Sequence, residues 1–169
     1  MPGLDPQVAM HHLNINSNAK PIKQQQQQRL RPEIIEAIES EVKRLMDSSF
    51  IKEEQYPDWV VNIVPVPKKN GKFRICIDYR DLNASCLKEE FALSITDVMT
   101  DDTCDFERMS FMDGFSGYNQ IKMYPEDEKH TFFRTPVGIY CYTVMPFSLQ
   151  NAGAIYQRVM NTIFHEHMH

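Results

Sequence analysis

No apolar run in these 169 residues approaches the roughly 20 needed to cross a bilayer as a helix, which excludes a membrane-spanning reading. The first ten residues lack the basic start and apolar core of a secretory signal. Cysteine is sparse: Cys76, Cys86, Cys104 and Cys141 form no Cys-x-x-Cys pair. Without an export signal they read as reduced thiols of an intracellular protein, not as a disulfide or zinc framework. Positive charge is also short. The net charge of −5 is unlike the basic balance common in nucleic-acid-binding domains. A sum can hide a local stripe, however. Lys68, Lys69, Lys72 and Arg74 form one basic cluster, and Lys20, Lys23, Arg29 and Arg31 a second, each compatible with plain solvent or with phosphate contact. The hydrophobic fraction of 42% is that of a globular chain, and the length suffices for one domain with a sizeable core.

Residues 1–28 show no sustained apolar period and end in the run Gln24–Gln28, which predicts an extended or disordered lead-in. Order is expected from Pro32. Ile34, Ile38, Val42 and Leu45 recur at helical spacing, acids occupy the first turn, and Asp47-Ser48-Ser49 breaks the pattern. Val60–Val66 reads as a strand that Pro65 and Pro67 confine to an edge or an irregular course. Asn70-Gly71 then signals a two-residue hairpin turn. Beyond it, Phe73, Ile75, Ile77 and Tyr79 alternate with Arg74, Cys76, Asp78 and Arg80, placing aromatic and aliphatic groups on one face and Arg74, Asp78 and Arg80 on the other. Met109–Met112 is read as a short apolar strand ending at Asp113. Further strands are expected near 119–123, 131–134 and 139–144. Asn151 is the expected cap of a last helix with Ile155, Val159 and Ile163 on its apolar face. The order of elements defines an α+β protein.

Three places could carry chemistry. Asp113, before a glycine-containing turn, is either a turn former or a carboxylate able to hold Mg²⁺ together with substrate phosphates. The segment 165–169 formally matches His-Glu-x-x-His, but a catalytic zinc needs a third protein ligand and no motif supplies one. The loop 145–153 leads into the last helix through small residues that allow close backbone approach or simply a cap.

Taken in order, several of these segments carry a family resemblance. Residues 68–83, Lys-Lys-Asn-Gly-Lys-Phe-Arg-Ile-Cys-Ile-Asp-Tyr-Arg-Asp-Leu-Asn, resemble gypsy-type reverse transcriptases of plants. So do Tyr56-Pro57-Asp58-Trp59, residues 110–121 (Ser-Phe-Met-Asp-Gly-Phe-Ser-Gly-Tyr-Asn-Gln-Ile) and residues 144–158 around Met145-Pro146-Phe147-Ser148. The match runs from Arg29 to the C-terminus. It implies a right-hand polymerase fold, fingers and partial palm only, with RNA-directed DNA polymerase activity in the family. By the same resemblance Asp113 is one of three metal-binding carboxylates for Mg²⁺. Ser116 and Gly117 face the incoming triphosphate, and Tyr118 is the aromatic gate that selects deoxynucleotides. Arg74, Lys68 and Lys69 bind the triphosphate from the fingertip, where bidentate guanidinium–phosphate geometry suits Arg74. Phe147 and Ser148 pack near nucleotide and template, and Asp78, Arg80 and Asn83 contact nucleic acid. The implied partners are an RNA or DNA primer–template, deoxynucleoside triphosphates and the remainder of a Pol polyprotein, in a cytoplasmic particle or the nucleus. The chain departs from the family pattern at Ser148, where Gly is usual, and at Gln150, Ala92, Ser94 and Phe133. No Tyr-x-Asp-Asp follows within the 169 residues, so the resemblance implies a chain that stops before the other two carboxylates.

Overall fold

The computed structural model describes residues 3–25, 30–91, 95–111 and 113–167, the side chain of His167 apart. The glutamine run beyond Gln25, Arg29, Ala92, Ser94, Met112 and the end of the 165–169 motif lie outside the described residues.

Helix α1 (Pro32–Asp47) follows the predicted period: Ile34, Ile38, Val42 and Leu45 are its buried residues. It ends in a left-handed residue, Ser49 at φ 55°. The Phe50 amide returns to the Leu45 carbonyl at 2.9 Å and the Ser49 amide to Met46 at 2.8 Å. This is the paired closure in which glycine is the usual left-handed residue.

Five strands make a mixed sheet: β2 (Ile51–Glu53), β3 (Val61–Pro67), β4 (Phe73–Ile77), β6 (Phe133–Thr135) and β7 (Gly138–Tyr142), in the order β2-β7-β6-β3-β4. Only β3 and β6 run parallel, joined at Val61–Phe133 and Asn62–Arg134. Beyond Asn62, β3 pairs with β4 alone, so Pro65 and Pro67 sit where one side of the strand needs no partner. The β3–β4 turn differs from expectation. Gly71 donates to the Lys68 carbonyl at 3.0 Å and Lys68 to that of Lys72 at 2.7 Å, with Gly71 at φ 78°. The loop therefore has three residues, a turn followed by a left-handed glycine, where a two-residue turn is expected.

Tyr79 and Leu82 anchor helix α2 (Arg80–Ser85) in the core, and the buried Tyr79 hydroxyl donates to the Thr131 carbonyl at 3.0 Å. Helix α3 (Thr96–Thr103) buries none of its residues. The last helix, α4 (Ala152–Ile163), buries Ala152 and Val159, while Ile163 of the expected face is exposed. Asn151 stands at the cap position of α4, but its side chain makes no cap hydrogen bond. The expected strand before Asp113 is a correction as well. Residues 109–111 are irregular and Phe111 is 87% exposed. A strand needs a hydrogen-bonding neighbour, and no described strand pairs with this segment.

The described part of the lead-in, residues 3–25, is extended and docked. Strand β1 (Met10–His11) pairs in parallel with β5 (Lys122–Met123). Leu4, Ala9, Leu13 and Ile15 pack against the core, and His11 is buried. Gln24 closes the strap: its side chain accepts from the Asn62 amide at 2.8 Å and donates to Asp81 at 2.8 Å.

Candidate functional site

The turn after Asp113 is built on glycine for a steric reason. A Cβ at Gly114 would lie 2.4 Å from the Tyr156 hydroxyl, and one at Gly117 would lie 2.7 Å from both the ring edge and the hydroxyl. Only residues without a side chain let the turn close over the ring of α4. Ser116 takes the left-handed conformation at φ 52° and starts a 3-10 turn at Gly117–Gln120. Its hydroxyl accepts from the Asn119 carboxamide at 3.0 Å, and Gln120 holds the Phe115 carbonyl at 2.7 Å.

That turn presents Tyr118 to two other aromatics. Its ring centroid lies 5.2 Å from Phe147, tilted by 39°, and 5.2 Å from Tyr156 at 64°. These are separations and angles at which aromatic quadrupoles attract. Phe147 stays exposed on its other side, Pro146 below it is buried, and Ser148 holds φ 76°. The structure thus sets Tyr118 against Phe147, with Ser148 next in that loop, and places Ser116 and Gly117 in the turn after Asp113. Asp113 is exposed and borders a cavity of about 310 Å³ with Gly117, Tyr156 and Met160.

The basic hairpin forms a second surface. Lys68, Lys72 and Arg74 face Glu33, Ser40 and Glu41 of α1 across a groove of about 610 Å³. Lys69 is exposed at the turn. Arg74 and Asp113 border different cavities. Asp78 and Arg80 lie beyond β4 and pair with each other at 2.8 and 2.7 Å. The Arg80 guanidinium holds the Asp78 carboxyl below the usual carboxylate range. Asn83 uses its carboxamide on the loop after Phe147, donating to the Ser148 carbonyl at 2.8 Å and accepting from the Gln150 amide at 2.9 Å.

Tyr156 is the residue that sequence reasoning passed over. It lies in the quoted motif, and its partners Gly114, Gly117 and Tyr118 sit some forty positions earlier, a separation that spacing does not bridge. A paired-glycine turn followed by Tyr118 was the available signal.

The family described as reverse transcriptase (RNA-dependent DNA polymerase) matches residues 66–169. The chain belongs to that family. It is 32% identical over 157 residues to the retrovirus-related Pol polyprotein from transposon 297 of Drosophila melanogaster, covering 90% of this chain and 15% of the relative. It is 29% identical over 140 residues to the transposon Tf2-3 polyprotein of Schizosaccharomyces pombe, covering 81% and 10%. Its kinship is with the Pol polyproteins of LTR retrotransposons, and it spans a small part of their length. Among solved structures, the foamy viral protease–reverse transcriptase in complex with RNA/DNA hybrid superposes with a TM-score of 0.74 at 16% identity, over 94% of this chain and 21% of that one. The foamy viral protease–reverse transcriptase dRH in complex with ds DNA gives 0.68 at 17% identity, over 94% and 27%. The fold is that of part of a polymerase hand. No helix among the described residues is long and apolar enough to cross a membrane.

Proposed function

We propose that this chain supplies the fingers, and the Asp113-bearing part of the palm, of an RNA-directed DNA polymerase of the gypsy type. The observation that carries the reading is Tyr118, which follows the Asp113 turn directly and is wedged between Phe147 and Tyr156. A ring held from two sides is a rigid floor for a sugar, and a 2′-hydroxyl placed on it would clash. Ser116 and Gly117 offer backbone beside that floor. Arg74, Lys68 and Lys69 are assigned to the triphosphate of the incoming deoxynucleotide, Phe147 and Ser148 to the templating pair. Asp78, Arg80 and Asn83 belong to the nucleic-acid side of the fingers, with Arg80 free to exchange Asp78 for a phosphate. The foamy viral structures hold an RNA/DNA hybrid and ds DNA, which supports a primer–template as the ligand here, and the rest of a Pol polyprotein is the natural partner. On this reading the polymerase unit is 29–169 and residues 1–28 lead into it.

Reverse transcriptases use a divalent metal, proposed here as Mg²⁺. Among the described residues no three His, Cys, Asp or Glu side chains gather as a metal site. Asp113 alone does not fit the two-ion arrangement, because the two oxygens of one carboxylate are too few ligands to hold two mutually repelling dications side by side. The polypeptide of these 169 residues is therefore expected to bind primer–template without extending it. The test is primer extension by the purified chain with an RNA template, a DNA primer, deoxynucleotides and MgCl₂. No extension is expected. Extension that disappears in Asp113→Asn would show a complete site and overturn this account.

A second reading, a non-catalytic nucleic-acid-binding remnant, is favoured by the exposed basic hairpin. It predicts salt-dependent retention of primer–template that weakens in Lys69→Ala and Arg74→Ala, with Asp113→Asn and Tyr118→Ala indistinguishable from the unsubstituted chain.

A further inference from the structure

Two asparagines lock the loop after Phe147 to the segment that follows the basic ribbon. Asn83, in α2, donates to the Ser148 carbonyl at 2.8 Å and accepts from the Gln150 amide at 2.9 Å. Asn151 donates to the Leu87 carbonyl at 2.8 Å and accepts from the Glu89 amide at 3.0 Å. Each carboxamide thus makes a two-point contact with the other segment's backbone, and the two contacts run in opposite directions. Residues 83–89 and 148–151 are joined by four hydrogen bonds that belong to no helix or strand ladder.

Within this clasp, Ser148 holds φ 76°, a conformation that side-chain-bearing residues rarely keep unless their surroundings impose it. The Asn83 contact to its carbonyl is such an imposition. The same loop carries Phe147, whose ring meets Tyr118. On the other side, α2 begins three residues after β4 ends, so the clasp also fixes the base of the ribbon that bears Arg74.

We infer that Asn83 is a positioning residue. It aims the 147–150 loop, and with it the Phe147 ring over Tyr118, by holding backbone atoms, so that its place on the nucleic-acid side of the fingers is exercised through the loop. Asn151 holds the clasp from the opposite segment. This assignment rests on the polymerase reading and adds to it a residue that acts through the loop. A purely structural asparagine would affect affinity only as far as it affects stability, so the two must be separated.

The experiment measures the thermal midpoint of the purified chain and its Kd for a labelled DNA primer on an RNA template with a 5′ overhang, at one ionic strength. Asn83→Ala is expected to lower the midpoint and to weaken Kd about tenfold. Ser148→Gly relieves the left-handed strain and raises the midpoint. In the double variant Asn83→Ala/Ser148→Gly the midpoint recovers while Kd stays weak, because a relaxed loop is not a re-aimed one. Asn83→Asp keeps the acceptor for Gln150 but sets a carboxylate against the Ser148 carbonyl, so it should match Asn83→Ala, and it decides the matter if the alanine variant does not fold. Affinity that recovers together with the midpoint, or a Kd within about twofold of the unsubstituted chain in a folded Asn83 variant, overturns the assignment. So does failure of both variants to fold, which makes Asn83 structural. If the unsubstituted chain binds no primer–template, it is the polymerase reading that fails, and the assignment falls with it.

Discussion

The hydroxyl of Tyr156 sets how small positions 114 and 117 must be, and the two glycines differ in a way that mutation can read. At Gly114 a new Cβ meets the hydroxyl at 2.4 Å and then nothing nearer than 3.7 Å. At Gly117 it also meets the ring, at 2.7 and 2.9 Å. Both alanine substitutions should destabilise by about 1–3 kcal/mol, the range for overpacking. Adding Tyr156→Phe should restore most of the loss for Gly114→Ala and little of it for Gly117→Ala, as measured by urea unfolding. A second residue-scale prediction concerns His11, buried with neither ring nitrogen partnered among the described residues. Desolvation, helped by neighbouring His12, lowers its pKa from 6.5 to about 4. The folded state therefore resists the proton that the unfolded chain accepts. Stability is complete above pH 6.5 and falls as pH drops from there towards 4, by up to ~3 kcal/mol. His130, half-buried, shifts the same way and adds to the slope. Thermal midpoints between pH 7.5 and 4.5 should fall more gently in His11→Leu. The candidate site residues were proposed only through long motifs read together. Asn83 and Asn151 were legible in place but not in role, because their partners lie more than sixty residues away.

At the scale of elements, sequence period served where one face is buried over several turns. Helix α1 shows all four of its expected core residues, since a 16-residue amphipathic helix repeats its signal. Strand β1 has two residues and no room for a period, so the docking of the lead-in could not be read. The strand expected before Asp113 failed for a different reason: propensity is local, but a strand exists only with a neighbour. The unpaired segment leaves Met109, Phe111 and Phe115 exposed. Apolar groups gathered on the surface invite association. Phe111→Glu should reduce self-association, seen by light scattering, and leave the thermal midpoint unchanged. A midpoint that drops instead would mean that Phe111 is packed in solution.

For the whole molecule, the fingers arrangement was legible because helix, hairpin and motifs follow one another in a familiar order. The strap was not, because its contacts are scattered. Leu4 donates to the Gln120 carbonyl at 2.8 Å, Leu13 to the Asp127 carboxylate at 2.9 Å and Asn16 to the Ser85 carbonyl at 2.9 Å. Residues 3–24 thus tie the Tyr118 turn, the strands and α2 into one unit. Deleting residues 1–24 should lower the midpoint by roughly 10 °C or more, in proportion to several kcal/mol of lost burial. The account as a whole is tested most directly by the salt dependence of primer–template binding. It predicts an association constant that falls linearly with salt on logarithmic axes, with a slope reduced by about one when Arg80, on the nucleic-acid side, is replaced by alanine and unchanged when Lys68, Lys69 or Arg74 is. A slope that Arg80→Ala leaves unchanged, or that the fingertip replacements reduce, would contradict it.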